Sequence, residues 1–143
     1  MEIRIVKVNL ETIIDAIEMA SDSSNGYLNL NTMETVWLSD YFDSKENEEL
    51  AMKIDNYPDQ YLCLPSQYDI YEYSIMEDFI DSLADTAIQN KLYRAIRGKG
   101  SFRKFKDEIC YLGIREEWFA FQHNAYVEIA KKWCKDNQFE YLE

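Results

Sequence analysis

The sequence predicts an α+β protein, with a small antiparallel sheet of about three strands followed by a C-terminal cluster of about four helices. Two observations predict this class. The first half carries short apolar runs separated by turn residues. From Asp69 onward, apolar residues recur at helical three- and four-residue spacing almost to the end. A length of 143 residues, 47% of them hydrophobic, suits one globular domain over residues 1–143 with its own core.

The first elements are a strand and a helix. Residues 3–8, IRIVKV, alternate apolar and basic side chains and read as a short strand or extended lead-in. Asn9 suits the N-cap of a helix over residues 10–20, which places its aliphatic side chains on one face.

A hairpin, a charged helix and a third strand complete the first half. Residues 26–31, GYLNLN, and residues 35–40, TVWLSD, flank Thr32-Met33-Glu34 as two strands flank a turn. A charged helix over about 44–55 then ends before Pro58, and residues 60–64 read as the third strand.

Four apolar sets predict the C-terminal helices. They are Ile75, Met76, Phe79, Ile80 and Leu83; then Ile88, Leu92, Ala95 and Ile96; then Phe102, Phe105, Ile109 and Leu112; and last Trp118, Phe121 or Gln122, Ala125, Ile129 and Trp133. Gly98 and Gly113 follow the second and third sets, where helices commonly end. Ser101 precedes the third set, so we expect it to cap that helix.

Composition excludes several classes of protein. Four glycines and two prolines are too few for a low-complexity or disordered chain. The apolar runs are too short for a membrane span, and the N-terminal residues lack a secretory pattern. Three widely spaced cysteines, Cys63, Cys110 and Cys134, are an odd number and suit reduced thiols, so we expect a cytoplasmic protein.

The most unusual feature is a basic stretch in an acidic chain. Residues 91–107, KLYRAIRGKGSFRKFKD, hold seven of the fifteen basic residues and one of the twenty-seven acidic ones, for a formal charge of +6. The net charge of the whole chain is −12, so a polyanion would meet long-range repulsion everywhere else. A ligand site for anions is therefore expected in this stretch.

We call residues 94–106 the basic segment. The loop Gly98-Lys99-Gly100 with Ser101 would aim a helix N-terminus at a phosphate or carboxylate. The predicted ligand contacts are Arg94, Arg97, Lys99, Gly100, Ser101, Arg103 and Lys104. Phe102 or Tyr93 could stack on a base. The spacing of a Walker phosphate-binding loop is absent.

The basic segment also has an interpretation without a ligand, and the acidic residues near it raise the question of a metal site. Gly98 and Ser101 could simply end one helix and begin the next, while the cations pair with acids of the protein itself. Glu77, Asp81 and Asp85 fall at i, i+4 and i+8, as one stripe of one helix, and could supply those acids. The same stripe offers too few oxygen ligands in the right geometry for a divalent cation, so no metal is expected.

Signals for an enzyme are weaker. His123 is the single histidine, and no spacing joins it to Cys110 or Cys134 as base and nucleophile. The cysteines also fail the usual zinc spacing and are more often buried apolar residues. Paired carboxylates at Glu77, Asp78 and Asp81 are the other catalytic candidate. We assign no catalytic residue and no cofactor.

Aromatic density suggests a further class. Five of the eleven tyrosines crowd into seventeen residues around the third strand: Tyr57, Tyr61, Tyr68, Tyr71 and Tyr73. Tyrosine supplies large contact area with a polar tip, which suits a protein interface, and the same residues also suit a half-buried strand and its flanks.

Several segments together resemble a family of small bacterial proteins, Uncharacterised Protein Family number 0158. They are YLN (27–29), VWLSD (36–40), LPSQYDIYEYSIMEDF (64–79), AIRGKGSFRKFKD (95–107), EEWFAF (116–121) and AKKWCKDN (130–137). The resemblance covers nearly the whole chain. It implies a single-domain cytoplasmic protein without an assigned activity, and it carries over no catalytic residue.

The functional expectation is a non-enzymatic binding module that uses the basic segment for a phosphate-bearing or nucleic-acid ligand. The alternatives are a protein-interaction or regulatory protein with an acidic, tyrosine-rich surface and, last, an enzyme with paired carboxylates. We expect no membrane association. The sequence does not indicate an oligomeric state.

Overall fold

The computed structural model describes residues 7–20, 24–39 and 44–142, apart from the side chain of Tyr68. Residues 3–6 of the first predicted strand, and Asp40 of the hairpin, lie outside the described residues. Close residue contacts divide the chain into two compact units. The first comprises Met1–Ile70 and Tyr126–Glu143, and the second comprises Tyr71–Ala125. The single domain over residues 1–143 stays a prediction.

The first unit opens with β1 (Lys7–Asn9) and α1 (Leu10–Met19). The predicted N-cap is confirmed, because the Asn9 side chain accepts a hydrogen bond of 3.0 Å from the Glu11 backbone N–H. Helix α1 buries Leu10, Ile13, Ile14, Ala16 and Ile17, the aliphatic face that its sequence predicts.

The predicted hairpin and third strand form one antiparallel sheet. Its strands are β2 (Ser24–Asn29), β3 (Glu34–Ser39) and β4 (Tyr61–Cys63), in the order β3-β2-β4. Gly26 pairs with Trp37, and a side chain on Gly26 would lie 2.8 Å from the Trp37 ring. A glycine is therefore needed where that ring crosses β2.

Helices α2 (Lys45–Asn56) and α3 (Gln67–Ile70) lie on either side of β4 in the chain. Helix α2 is the predicted charged helix, with Ser44 as its N-cap, and it ends before Pro58 as expected. It has no fully buried residue. The sequence did not predict the short helix α3.

The second unit is helical. It contains α4 (Glu72–Ser82), α5 (Thr86–Ala95), α6 (Ser101–Tyr111) and the first half of α7 (Arg115–Asp136). Phe79 lies at the centre of its core, with ring centroids 6.3 Å from Phe105, 5.4 Å from Trp118 and 5.4 Å from Phe121. The four helices and the α+β class are confirmed.

The C-terminal half of α7 belongs to the first unit. Its buried residues are Tyr126, Ala130 and Cys134, so the buried line runs one residue beyond the predicted Ala125, Ile129 and Trp133. After α7, β5 (Glu140–Leu142) pairs with β1 in a two-stranded parallel sheet. The sequence did not predict this last strand. No helix within the described residues is long and apolar enough to cross a lipid bilayer.

Candidate functional site

The basic segment forms the connection between two neighbouring helices. Its first residues complete the last turn of α5, residues 96–100 form a turn, and the remainder begins α6. Gly98 and Gly100 have φ angles of 76° and 73°, in the left-handed region that favours glycine. The predicted end of α5 before Gly98 therefore has a backbone reason.

Buried residues hold both arms of this connection. Leu92 and Ile96 from the α5 side and Phe105 from α6 are each 2% exposed or less. The Tyr73 hydroxyl also donates a hydrogen bond of 3.2 Å to the Ile96 carbonyl. Because these anchors face inward, the charged residues between them are left on the surface of the second unit.

The predicted cationic contacts are exposed. Arg94, Arg97, Lys99, Arg103 and Lys104 all fall in the exposed class, as does Gly100, whereas Ser101 is half-buried. Among the described residues, none of these five cations forms an ion pair with a carboxylate. Arg94 and Arg97 lie at the C-terminal end of α5, where a positive charge also favours the helix dipole. Lys99, Arg103 and Lys104 have no such role.

The prediction that Ser101 caps α6 is wrong. Gly100 is the N-cap, Ser101 is the first helical residue, and no side-chain capping hydrogen bond is found among the described residues. The positive φ of Gly100 explains the difference, because it ends the turn one residue earlier than the pattern suggested. Within the described part of the chain, the first N–H groups of α6, beside Arg103 and Lys104, therefore have no side-chain acceptor.

The acidic stripe is also not one stripe of one helix. Helix α4 ends at Ser82, and Leu83 is extended with φ −77° and ψ 140°. Asp85 is instead the N-cap of α5, and its carboxylate accepts hydrogen bonds from the N–H groups of Ala87 (2.9 Å) and Ile88 (3.2 Å). Asp81 accepts a hydrogen bond from the Tyr93 hydroxyl.

Asp81 and Asp85 therefore form hydrogen bonds with neutral groups and not with the cations of the basic segment. Glu77 is exposed and forms no ion pair with a described residue. The competing interpretation was that these three acids form ion pairs with the cations of the basic segment. Within the described residues, that pairing is not found.

An aromatic side chain accompanies the cations. Phe102, in the first turn of α6, is 44% exposed and is flanked in sequence by Ser101 and Arg103. Tyr93 is half-buried and its hydroxyl is engaged with Asp81, so Phe102 is the more accessible ring for stacking.

The candidate catalytic groups occur in both units. Glu77, Asp78, Asp81, Cys110 and His123 are all exposed. Cys134 is buried, and desolvation raises the pKa of its thiol, which makes it a poor nucleophile. In the part of the chain that the structure describes, no three His, Cys, Asp or Glu side chains converge as metal ligands.

The tyrosine-rich stretch is partly exposed. Tyr57 is 59% exposed, Tyr71 is 69% exposed and Tyr73 is 41% exposed, while Tyr61 is half-buried in β4. The side chain of Tyr68 lies outside the described residues. Tyr71 has a positive φ of 52° and precedes α4 without a side-chain capping bond.

The cavities lined by described residues include two in the first unit. One, of about 730 Å³, lies between the end of α7 and β5, and its lining includes Lys131, Lys132 and Lys135. The other, of about 210 Å³, lies beside β2 and includes Trp37 and Cys63. Sequence reasoning did not select either. The pair Lys131-Lys132 followed by Lys135 could have indicated the cavity beside β5. Such lysines are, however, common near the C-terminus of a helix.

Comparison of the sequence with known proteins supports the family resemblance. The model of the Uncharacterised protein family (UPF0158) matches residues 3–143. The chain belongs to this family. A curated relative in the family, UPF0158 protein PA5073 of Pseudomonas aeruginosa, is 22% identical over 130 residues, which are 89% of this chain and 83% of the relative. No solved structure shows a significant match. The family resemblance is therefore confirmed, and the function of the family is unknown.

Proposed function

We propose that this bacterial protein is a cytoplasmic binding module whose basic segment binds an anionic ligand, either a nucleic acid or another phosphate-bearing molecule. The contacts are Arg94, Arg97, Lys99, Gly100, Ser101, Arg103 and Lys104. The bacterial origin rests on the relative from Pseudomonas, and the location rests on the cysteine content. In this proposal the protein performs no reaction.

One observation carries the proposal. Five cations of the basic segment are exposed without an ion pair to a described carboxylate, and two of the acids expected to neutralise them have other partners. Concentrating like charges on a surface raises repulsion within the protein, and an anionic ligand removes that repulsion. A phosphate group would also accept hydrogen bonds from the first N–H groups of α6.

The acidity of the chain limits the affinity. At a net charge of −12, a nucleic acid approaches against long-range repulsion and gains attraction only near the basic segment. The attraction at that surface comes from releasing counterions, so binding must weaken strongly as salt is added. This predicts a site that is specific to one face of the second unit.

Phe102 favours a single-stranded or otherwise unpaired nucleic acid over a duplex. An exposed ring next to cations can stack on a base while the cations contact the backbone. Such stacking contributes about 1–3 kcal/mol per base, and it needs a base that is not already paired. A double-stranded ligand would meet the cations but would lose this contribution.

The test is a titration of the protein with single- and double-stranded RNA and DNA and with nucleotides, at low and moderate salt. The Lys99→Glu/Arg103→Glu variant should lose binding. The Lys45→Glu/Lys53→Glu variant changes the net charge equally on exposed residues of α2, and it should bind nearly as the original does. Equal affinity in the original protein and the Lys99→Glu/Arg103→Glu variant would refute the proposal.

A second candidate is protein interaction through the acidic, tyrosine-rich surface. In the first unit it is favoured by the exposure of Tyr57 and by α2, which buries none of its residues. If this surface joins two copies, sedimentation should detect a dimer that a Tyr57→Ser variant weakens. A monomer at every concentration that also retains no basic protein partner would count against this candidate.

A further inference from the structure

The cavity beside β5 is a second candidate binding site, in the unit that does not contain the basic segment. Its volume of about 730 Å³ falls in the range of about 300–1,000 Å³ that small-molecule sites occupy. Its wall combines the last turns of α7 with the start of β5. Glu140 and Tyr141 both contribute, although successive strand residues point to opposite faces, so the cavity reaches the edge of β5.

Three lysines form the helical side of this cavity. Lys132 contacts Asp136 at 3.4 Å, and Lys131 lies 4.0 Å from Glu128. Lys135 is exposed and forms no ion pair with a described residue. Cations near a helix C-terminus stabilise the helix by themselves. Stabilising the helix does not require a concave surface beside the lysines. The cavity is therefore an observation that the helix dipole does not explain.

The cavity also has an aromatic part, and contacts with neighbouring residues hold it in place. The Phe139 ring packs edge-on against Trp133, with centroids 5.5 Å apart. The indole N–H of Trp133 donates a hydrogen bond of 3.1 Å to the Cys63 carbonyl of β4. Because Trp133 is fixed by the sheet, Phe139 forms a rigid wall. Tyr141 supplies a second ring and is 36% exposed.

The backbone between the lysines and the rings is fixed as well. Helix α7 ends through Gln138, whose φ is 60°, and the Phe139 N–H donates to the Cys134 carbonyl at 2.8 Å. The Asn137 side chain adds a hydrogen bond of 2.8 Å to the Trp133 carbonyl. A ligand would therefore meet a cavity whose walls are already in position, which lowers the entropy cost of binding.

We propose that this cavity binds a small ligand of the mononucleotide class, with one phosphate group joined to an aromatic base. The phosphate contacts Lys132 and Lys135, and the base lies against Phe139 and Tyr141. Glu128 and Glu140 also line the cavity and would repel a polyanionic strand, whereas they can accept hydrogen bonds from sugar hydroxyls. The size and the mixed charge thus favour a mononucleotide over a nucleic acid.

The experiment is a titration of the isotope-labelled protein with adenosine monophosphate, followed by the backbone amide signals in NMR. Inorganic phosphate and adenosine are titrated separately. Adenosine monophosphate should shift the amides of residues 131–142 saturably and more tightly than either part alone. Shifts confined to residues 97–104 would instead report the basic segment, so the two sites are distinguished in one measurement.

Variants complete the test. Lys132→Gln/Lys135→Gln should weaken the binding measured at residues 131–142 about tenfold, which is about threefold for each exposed charge pair that is lost. Lys45→Gln/Lys53→Gln removes two exposed lysines from α2 in the same unit and should leave it unchanged. The proposal is overturned if these amides do not shift, if phosphate alone binds equally well, or if Lys132→Gln/Lys135→Gln binds as the original does.

Discussion

The side-chain amide of Asn47 makes two hydrogen bonds with the backbone of Ser39. Its oxygen accepts from the Ser39 N–H at 2.9 Å, and its nitrogen donates to the Ser39 carbonyl at 3.0 Å. Strand β3 lies at an edge of its sheet, where backbone groups lack a neighbouring strand. Asn47 therefore completes the end of β3 as a strand would, and it joins α2 to the sheet.

Replacing Asn47 should destabilise the first unit. Asn47→Ala removes both hydrogen bonds, and at about 0.5–1.5 kcal/mol for each bond we expect a loss of about 1–3 kcal/mol in the free energy of unfolding. Urea denaturation measures this loss. Asn56→Ala, at an exposed residue of the last turn of α2, is the control and should change the stability little. Equal midpoints for the two variants would show that the Ser39 contact is not stabilising.

Truncating Phe79 should be severe. Its ring is 2% exposed and contacts the rings of Phe105, Trp118 and Phe121. Phe79→Ala leaves a cavity among these rings and should cost about 3–5 kcal/mol, measured by thermal or urea unfolding. Phe102→Ala removes the same atoms from a site that is 44% exposed and should cost far less. Comparable losses in both variants would contradict the packing described for the second unit.

The turn before α6 should tolerate a change at Ser101 better than one at Gly100. Gly100→Ala forces an alanine to a φ near 73°, where a Cβ costs about 1–2 kcal/mol, although it meets no neighbouring atom. Ser101→Ala should cost little, because the hydroxyl does not cap the helix. Chemical denaturation of the two variants measures the difference. A larger loss for Ser101→Ala would restore Ser101 as the cap.

The three thiols should differ in reactivity. Cys63 and Cys110 are exposed, whereas Cys134 is 0% exposed and burial raises the pKa of its thiol. Iodoacetamide should label two cysteines rapidly in the folded protein and all three in urea, as read by peptide mass spectrometry. Fast labelling of Cys134 in the folded protein would contradict its burial.

The same shift has a consequence for stability. The folded state holds the Cys134 thiol neutral, while the unfolded chain can ionise it at its ordinary pKa. The unfolded state then binds fewer protons, so stability falls as the pH rises above that ordinary value. A Cys134→Ala variant should lack this alkaline contribution, and the difference between the two pH profiles measures it.

Periodicity in the sequence predicted most of the elements, because each depends on neighbouring residues. Helices α4 to α7 follow apolar side chains at three- and four-residue spacing, and Gly98 ends α5 through a positive φ. Strand β5 has no such local signal. Its three residues are all exposed, and it forms by pairing with β1 at the other end of the chain.

Local sequence predicts only part of the geometry of the candidate site. The grouping of the cations follows directly from their sequence, whereas the partners of the acids depend on where α4 ends. Spacing alone placed Asp85 on that helix, but the extended Leu83 moves it to the start of α5. The cavity beside β5 is lined by residues that come before and after the C-terminal end of α7. The spacing of apolar residues in a sequence predicts helices and strands, but it does not predict a concave surface.

The most direct test of the anion site is the salt dependence of binding to a labelled single-stranded RNA. If Lys99 and Arg103 contact phosphates, each neutralising change, Lys99→Gln or Arg103→Gln, should lower the slope of log affinity against log salt by about 0.7. The Lys53→Gln control should keep the original slope. Slopes that are identical in all four proteins, or no binding even at low salt, would contradict the account.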